Sequence, residues 1–154
     1  MSNGPEVGDP APDFELEGTD GPFRLSEHRG DWVVLLFYPG DRTPVCTRQF
    51  CSYRDDSELM GNLDATVVGI SPQSIDSHRR WTLERGLTVP LLADPGARVA
   101  RLYGAYVPVR GTTRSIVILD DQGIVRRRDD RLVGLTYAIA EQLDEMLDSV
   151  RQPA

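Results

Sequence analysis

The chain has 154 residues, of which 40% are hydrophobic, and carries 17 basic against 24 acidic side chains, a formal charge of −7. That length and composition suit one globular domain over residues 1–154, and the negative balance argues against nucleic-acid binding, where phosphate contacts need clustered cations. The longest apolar run, WVVLLF at 32–37, is far short of the roughly 20 residues that span a bilayer, so no membrane helix is expected.

The opening 18 residues are acidic and polar where a secretory signal is basic and then hydrophobic, so the chain is expected in the cytoplasm. Residues 13–18 and 21–25 read as two short strands around a Thr19-Asp20-Gly21 turn. The run at 32–38 ends at Pro39 and reads as a strand buried on both faces. From Pro44 to about Asn62 the pattern is helical. A second buried strand follows at 65–71, then a helix at 74–85 closed by Gly86. A short strand at 89–94 and a short helix at 97–103 lead to a hairpin, 114–120 and 124–129, joined by Asp121-Gln122-Gly123. A C-terminal helix then puts Leu135, Ile139, Leu143, Met146, Leu147 and Val150 on one stripe, and the last residues are expected to fray. Strands alternating with helices between two hairpins describe an α/β layer with a mixed sheet.

A reducing compartment does not maintain a structural disulfide, so the two cysteines point to catalysis or redox sensing. Both lie in TPVCTRQFC at 43–51. Pro44 suits the first helical position, which makes Thr43 the N-cap and places Cys46 third in the helix. The partial positive charge there favours an anion, so Cys46 is a candidate nucleophile in its thiolate form. Cys51 follows five residues later. In a regular helix the two Cα atoms stand about 8.7 Å apart and roughly 140° around the axis, whereas a disulfide rarely spans more than about 7 Å. A bond between them therefore requires local unwinding. Two other readings stay open: small buried hydrophobes, or metal ligands, for which only these thiols and the distant His28 and His78 are available.

The segment Pro39-Gly40-Asp41-Arg42-Thr43-Pro44-Val45-Cys46, preceded by Phe37-Tyr38, resembles the peroxiredoxin signature P-x-x-x-T-x-x-C. A second cysteine five residues on is similar to the peroxiredoxin Q, or bacterioferritin comigratory protein, subgroup. The likeness extends to residues 8–14, Gly69-Ile70-Ser71, Ser77-His78, residues 90–94 and Thr113-Arg114-Ser115. Phe50 departs from the pattern without touching the reacting groups.

This resemblance implies a thioredoxin-like fold, with a central mixed β-sheet flanked by helices and an N-terminal β-hairpin. Cys46 would be the peroxidatic and Cys51 the resolving cysteine. Thr43 would be a hydroxyl partner of thiolate and peroxide, and Arg114 the facing cation. Pro39, Thr43, Pro44, Val45, Cys46 and Arg114 would meet the peroxide, with the Cys46 backbone N–H completing the cradle. Implied partners are hydrogen peroxide, organic hydroperoxides, and thioredoxin or a similar dithiol reductant. No metal, haem or flavin is implied, and the state would be a monomer or weak homodimer. The rival functions are a general thiol-disulfide oxidoreductase and a non-enzymatic redox sensor or holdase. Elsewhere His78 reads as structural, Trp32 and Trp81 as core or groove aromatics, and Arg126-Arg127-Arg128 as an exposed strand edge.

Overall fold

The computed structural model describes residues 4–131 and 137–151. Glu15–Gly18 (β1) alternates exposed and buried side chains and pairs antiparallel with Phe23–Arg24 (β2). The turn between them contains Gly21 at a φ of 106°, a conformation that favours glycine. Val33–Phe37 (β3) is buried at every position, as its unbroken apolar run requires.

Pro44–Asp55 (α1) begins where the Thr43 cap predicts. The single helix expected to reach Asn62 is broken, however: Asp56, with φ −115° and ψ 46°, leaves the helical region, and Ser57–Gly61 (α2) restarts beyond it. Asp and Ser side chains compete for nearby backbone groups, and the Asp55-Asp56-Ser57 run favours a cap over a continuous helix.

Thr66–Ser71 (β4) leads to Ile75–Arg85 (α3), capped by the Ser74 hydroxyl and closed by Gly86 in the left-handed region. Leu91–Ala93 (β5) and Arg98–Leu102 (α4) follow. Next comes a small hairpin, Tyr106–Val107 (β6) with Gly111–Thr112 (β7); strands of two residues are too short to show a period in the sequence. Arg114–Leu119 (β8), Val125–Arg131 (β9) and Ala140–Arg151 (α5) complete the described chain.

Among the described residues, seven strands form one mixed sheet in the order β2-β1-β5-β4-β3-β8-β9. The β3–β4 and β4–β5 pairs are parallel and the others antiparallel. Alternation along β3 divides the core. Val33, Leu35 and Phe37 face a cluster with Val99 and Ala100 of α4 and Tyr103 just beyond it. Val34, Leu36 and Tyr38 face Phe50 and Tyr53 of α1, Trp81 of α3, and Leu143 and Leu147 of α5. Both faces of the sheet are thus covered, the layering expected from the alternation of elements.

Leu143, Met146 and Leu147 of the C-terminal stripe are buried, and Val150 packs beside them. Ile139 is not part of it: it precedes α5, stands exposed, and its backbone N–H donates to Gln142 Oε1 at 3.0 Å. Leu135 and the fraying end, 152–154, lie outside the described residues. The Arg126-Arg127-Arg128 run does fall on an edge strand, β9, but it is not simply solvated. Arg127 donates to the Ser149 hydroxyl at 3.0 Å and Arg128 to the Pro5 carbonyl at 2.7 Å. No helix among the described residues is long and apolar enough to cross a membrane.

This topology creates the site. β3 and β4 run parallel, and the loop leaving the C-terminal end of β3 opens α1. The antiparallel strand β8 enters the sheet at the same end, with Ser115 opposite Phe37. Arg114 therefore arrives beside the helix start, in the crevice where α/β sheets place their ligands.

Candidate active site

Thr43 caps α1: its hydroxyl oxygen accepts from the Cys46 N–H at 3.3 Å and its hydroxyl hydrogen is directed at the Gly40 carbonyl at 3.4 Å. Pro44 occupies the first helical position, and Cys46 is fully buried at the third. Arg114, only 3% exposed, donates from Nη2 to the Cys46 sulfur at 3.1 Å. A guanidinium donor and a helix N-terminus both favour negative charge on that sulfur.

The other arm of Arg114 is also held. Its Nη1 donates to the Gln49 side-chain oxygen. Gln49 Nε2 donates to the Tyr53 hydroxyl at 3.0 Å, and Tyr53 donates to the Ala138 carbonyl at 2.6 Å. All three side chains are buried, so the guanidinium has a fixed direction. Gln49 and Tyr53 escaped the sequence reading. Both lie three and seven residues after Cys46, on its face of the helix, and a polar side chain on that buried face was the available signal.

The residues expected to meet a peroxide separate into two groups. Cys46 and Arg114 are covered, whereas Pro39, Thr43 and Pro44 are exposed and Val45 is half-buried. The Thr43 hydroxyl and the Cys46 N–H, expected to face the peroxide, are engaged with each other. The reason is the cap itself: the N3 amide of a helix is the usual partner of its N-cap oxygen.

Cys51 is half-buried and both thiols are free. Since α1 runs unbroken through both, helix geometry keeps their Cα atoms about 8.7 Å apart. Among the described residues no three His, Cys, Asp or Glu side chains converge as metal ligands would.

A second polar cluster, which no spacing in the sequence signals, lies beneath the loop before α1. It joins Tyr38, Asp41, Ser77 and His78. Burial by itself would raise the Asp41 carboxyl, but hydrogen bonds from His78, Ser77 and Tyr38 and the charge of His78 outweigh it and hold the group below its ordinary range. Burial, and then the neighbouring Asp41 charge, push the Tyr38 phenol well above its ordinary value.

A profile of the AhpC/TSA family matches residues 7–128. Peroxiredoxin Bcp of Bacillus subtilis is 33% identical over 151 residues, covering 93% of this chain and 96% of that protein. The chain belongs to the AhpC/TSA family, the peroxiredoxins. Another peroxiredoxin, Peroxiredoxin 2 of Caldanaerobacter subterraneus subsp. tengcongensis, is 37% identical over 131 residues; the match takes in 79% of this chain but 59% of that longer protein. Among solved structures, the peroxidoxin BcpB of Mycobacterium tuberculosis superposes with a TM-score of 0.83 at 29% identity, covering 96% of this chain and 99% of that one. The expected likeness to the Bcp group of peroxiredoxins is thus met in sequence and in fold, and the mixed α/β sheet is the thioredoxin-like architecture of the family.

Proposed function

We propose that this peroxiredoxin is a thiol-dependent peroxidase that reduces hydrogen peroxide and organic hydroperoxides at Cys46. The observation that carries the reading is the 3.1 Å contact between the buried Arg114 guanidinium and the Cys46 sulfur at the start of α1. The thiolate attacks one peroxide oxygen, the O–O bond breaks, and Cys46 becomes a sulfenic acid. The departing oxygen takes its bonding pair and one proton and leaves as water or an alcohol. Negative charge develops on that oxygen in the transition state, and donors already fixed in place lower the barrier because they need not reorganise. Arg114 supplies such a donor in Nη2, already aimed at the sulfur, while Gln49 holds its other arm.

Cys51 is the resolving residue in this reading. Its thiolate attacks the sulfenic sulfur, water is released, and an intramolecular disulfide forms. The stretch of α1 between the cysteines must unwind first, since a regular helix holds them beyond the roughly 7 Å reach of a disulfide. An external dithiol, thioredoxin or a similar protein, then reduces the bond. Such donors are kept reduced in the cytoplasm, where the chain would work as a single-domain monomer or weak homodimer.

Mixing the reduced protein with hydrogen peroxide in a stopped-flow instrument tests the reading. Oxidation of Cys46 should far outpace that of free cysteine; equal rates would overturn it. Cys46→Ser should consume no peroxide. Cys51→Ser should complete one turnover and then stall with thioredoxin as reductant, whereas sustained turnover would remove Cys51 from the resolving role.

A further inference from the structure

Asp41 and His78 are both wholly enclosed, with neither side chain exposed. Three donors converge on the carboxylate. His78 Nδ1 lies 2.8 Å from Oδ2, the Ser77 hydroxyl donates to Oδ2 at 2.7 Å, and the Tyr38 hydroxyl donates to Oδ1 at 2.8 Å. On the far side of the ring, Nε2 faces the Leu92 carbonyl at 3.0 Å. A carbonyl and a carboxylate only accept, so both ring nitrogens must carry hydrogen. The hydrogen-bond network therefore assigns an imidazolium at His78, paired with an ionised Asp41.

The pair ties two elements to one loop. Asp41 sits between β3 and α1, Ser77 and His78 belong to α3, and Leu92 lies in β5. Thr43, the cap of the Cys46 helix, is two residues beyond Asp41. The residue between them, Arg42, holds a φ of 64°, uncommon for anything but glycine, and its Nε donates to Glu84 of α3 at 3.1 Å. Positions 41 and 42 are therefore both anchored to α3, immediately before the turn that presents the sulfur.

We infer that Asp41 and His78 are positioning residues for Cys46: their buried ion pair fixes the loop before α1, and through the Thr43 cap it fixes the helix start that carries the reactive sulfur. Neither residue touches the reacting atoms. Losing one partner leaves the other as an unpaired buried charge, which the loop can relieve only by moving away. The pair deepens the peroxidase reading and rests on it for its consequence in turnover. The groups that face His78 are Asp41, the Tyr38 hydroxyl and the Leu92 carbonyl, while the Ser77 hydroxyl is turned to Asp41. Asp76, Arg79 and Arg80, beside it on α3, are exposed.

Two measurements test the assignment. In the unaltered protein, nitrogen NMR of the His78 ring should show both nitrogens protonated at neutral pH; a singly protonated ring overturns the proposal, whatever the variants do. Alkylation of Cys46 by iodoacetamide across pH then reads the position of the sulfur without any peroxide. His78→Gln should raise the alkylation midpoint by about one pH unit, equivalent to about tenfold less thiolate below it. Asp41→Asn combined with His78→Gln leaves no unpaired charge and should recover at least half of the lost alkylation rate. An unchanged profile in His78→Gln, or no recovery in the double variant, overturns the pair's role. Absence of peroxide consumption by the unaltered protein would count against the peroxidase reading alone.

Discussion

Arg114 reaches the Cys46 sulfur with one nitrogen and the Gln49 amide with another, so a neutral neighbour sets its direction. Hydrogen bonds to charged groups contribute about 1.5–3 kcal/mol. Gln49→Ala should therefore slow the second-order reaction with peroxide by roughly tenfold or more, while Arg114→Ala should slow it by orders of magnitude; both are read by stopped-flow oxidation. An unchanged rate in Arg114→Ala would remove it from the site. Legibility at this scale followed chain distance. Thr43 and Cys46 could be read from local capping chemistry, since cap, proline and thiol lie within four positions. Arg114 comes from 68 residues away, and without the family resemblance it reads as an ordinary arginine at a strand end. The Asp41–His78 pair is equally non-local, 37 residues apart, and a lone histidine in a helix carries no sign of what will face its ring.

At the scale of elements, α1 is the part on which the chemistry depends, and its seat on the sheet requires Gly69. A Cβ at that position of β4 would stand 2.9 Å from the Phe50 ring and 3.0 Å from Leu91 Cδ2. Gly69→Ala should cost about 1–3 kcal/mol of stability, the usual range for overpacking, measured as a lower urea midpoint with an unchanged slope. An equal midpoint would mean that α1 sits less tightly than these contacts imply. The long buried strands and capped helices were readable because many residues repeat one period. The break at Asp56 and the β6–β7 hairpin were not, because each is decided within a few residues, where periodicity says nothing.

At the scale of the whole molecule, the buried Asp41 and Tyr38 act on stability from opposite sides of the pH range. The Asp41 carboxyl titrates below its ordinary 3.8, so the folded protein binds fewer protons there than the unfolded chain. The resulting stabilisation is complete above about pH 4 and is lost as pH falls through the folded value. The Tyr38 phenol titrates above its ordinary 10.0. Its contribution is complete below about pH 10 and is lost as pH rises beyond that. Urea midpoints measured across pH should thus decline at both ends, and Asp41→Asn should make the acid decline shallower. An acid limb identical in the variant would assign that titration to other carboxyls.

Phe50 lies between the two cysteines in the chain, and its ring is enclosed by Tyr38 at 4.7 Å, Tyr53 at 5.6 Å and Trp81 at 5.6 Å. In the proposed cycle, drawing the two sulfurs together would rearrange the backbone on either side of this ring, and a closed disulfide would pull a neighbour away from a wholly buried indole. The chain would thereby carry its own optical gauge of oxidation state. Tryptophan emission should change when peroxide is added and return with a dithiol, and Trp81→Phe should silence the response while Trp32 continues to emit.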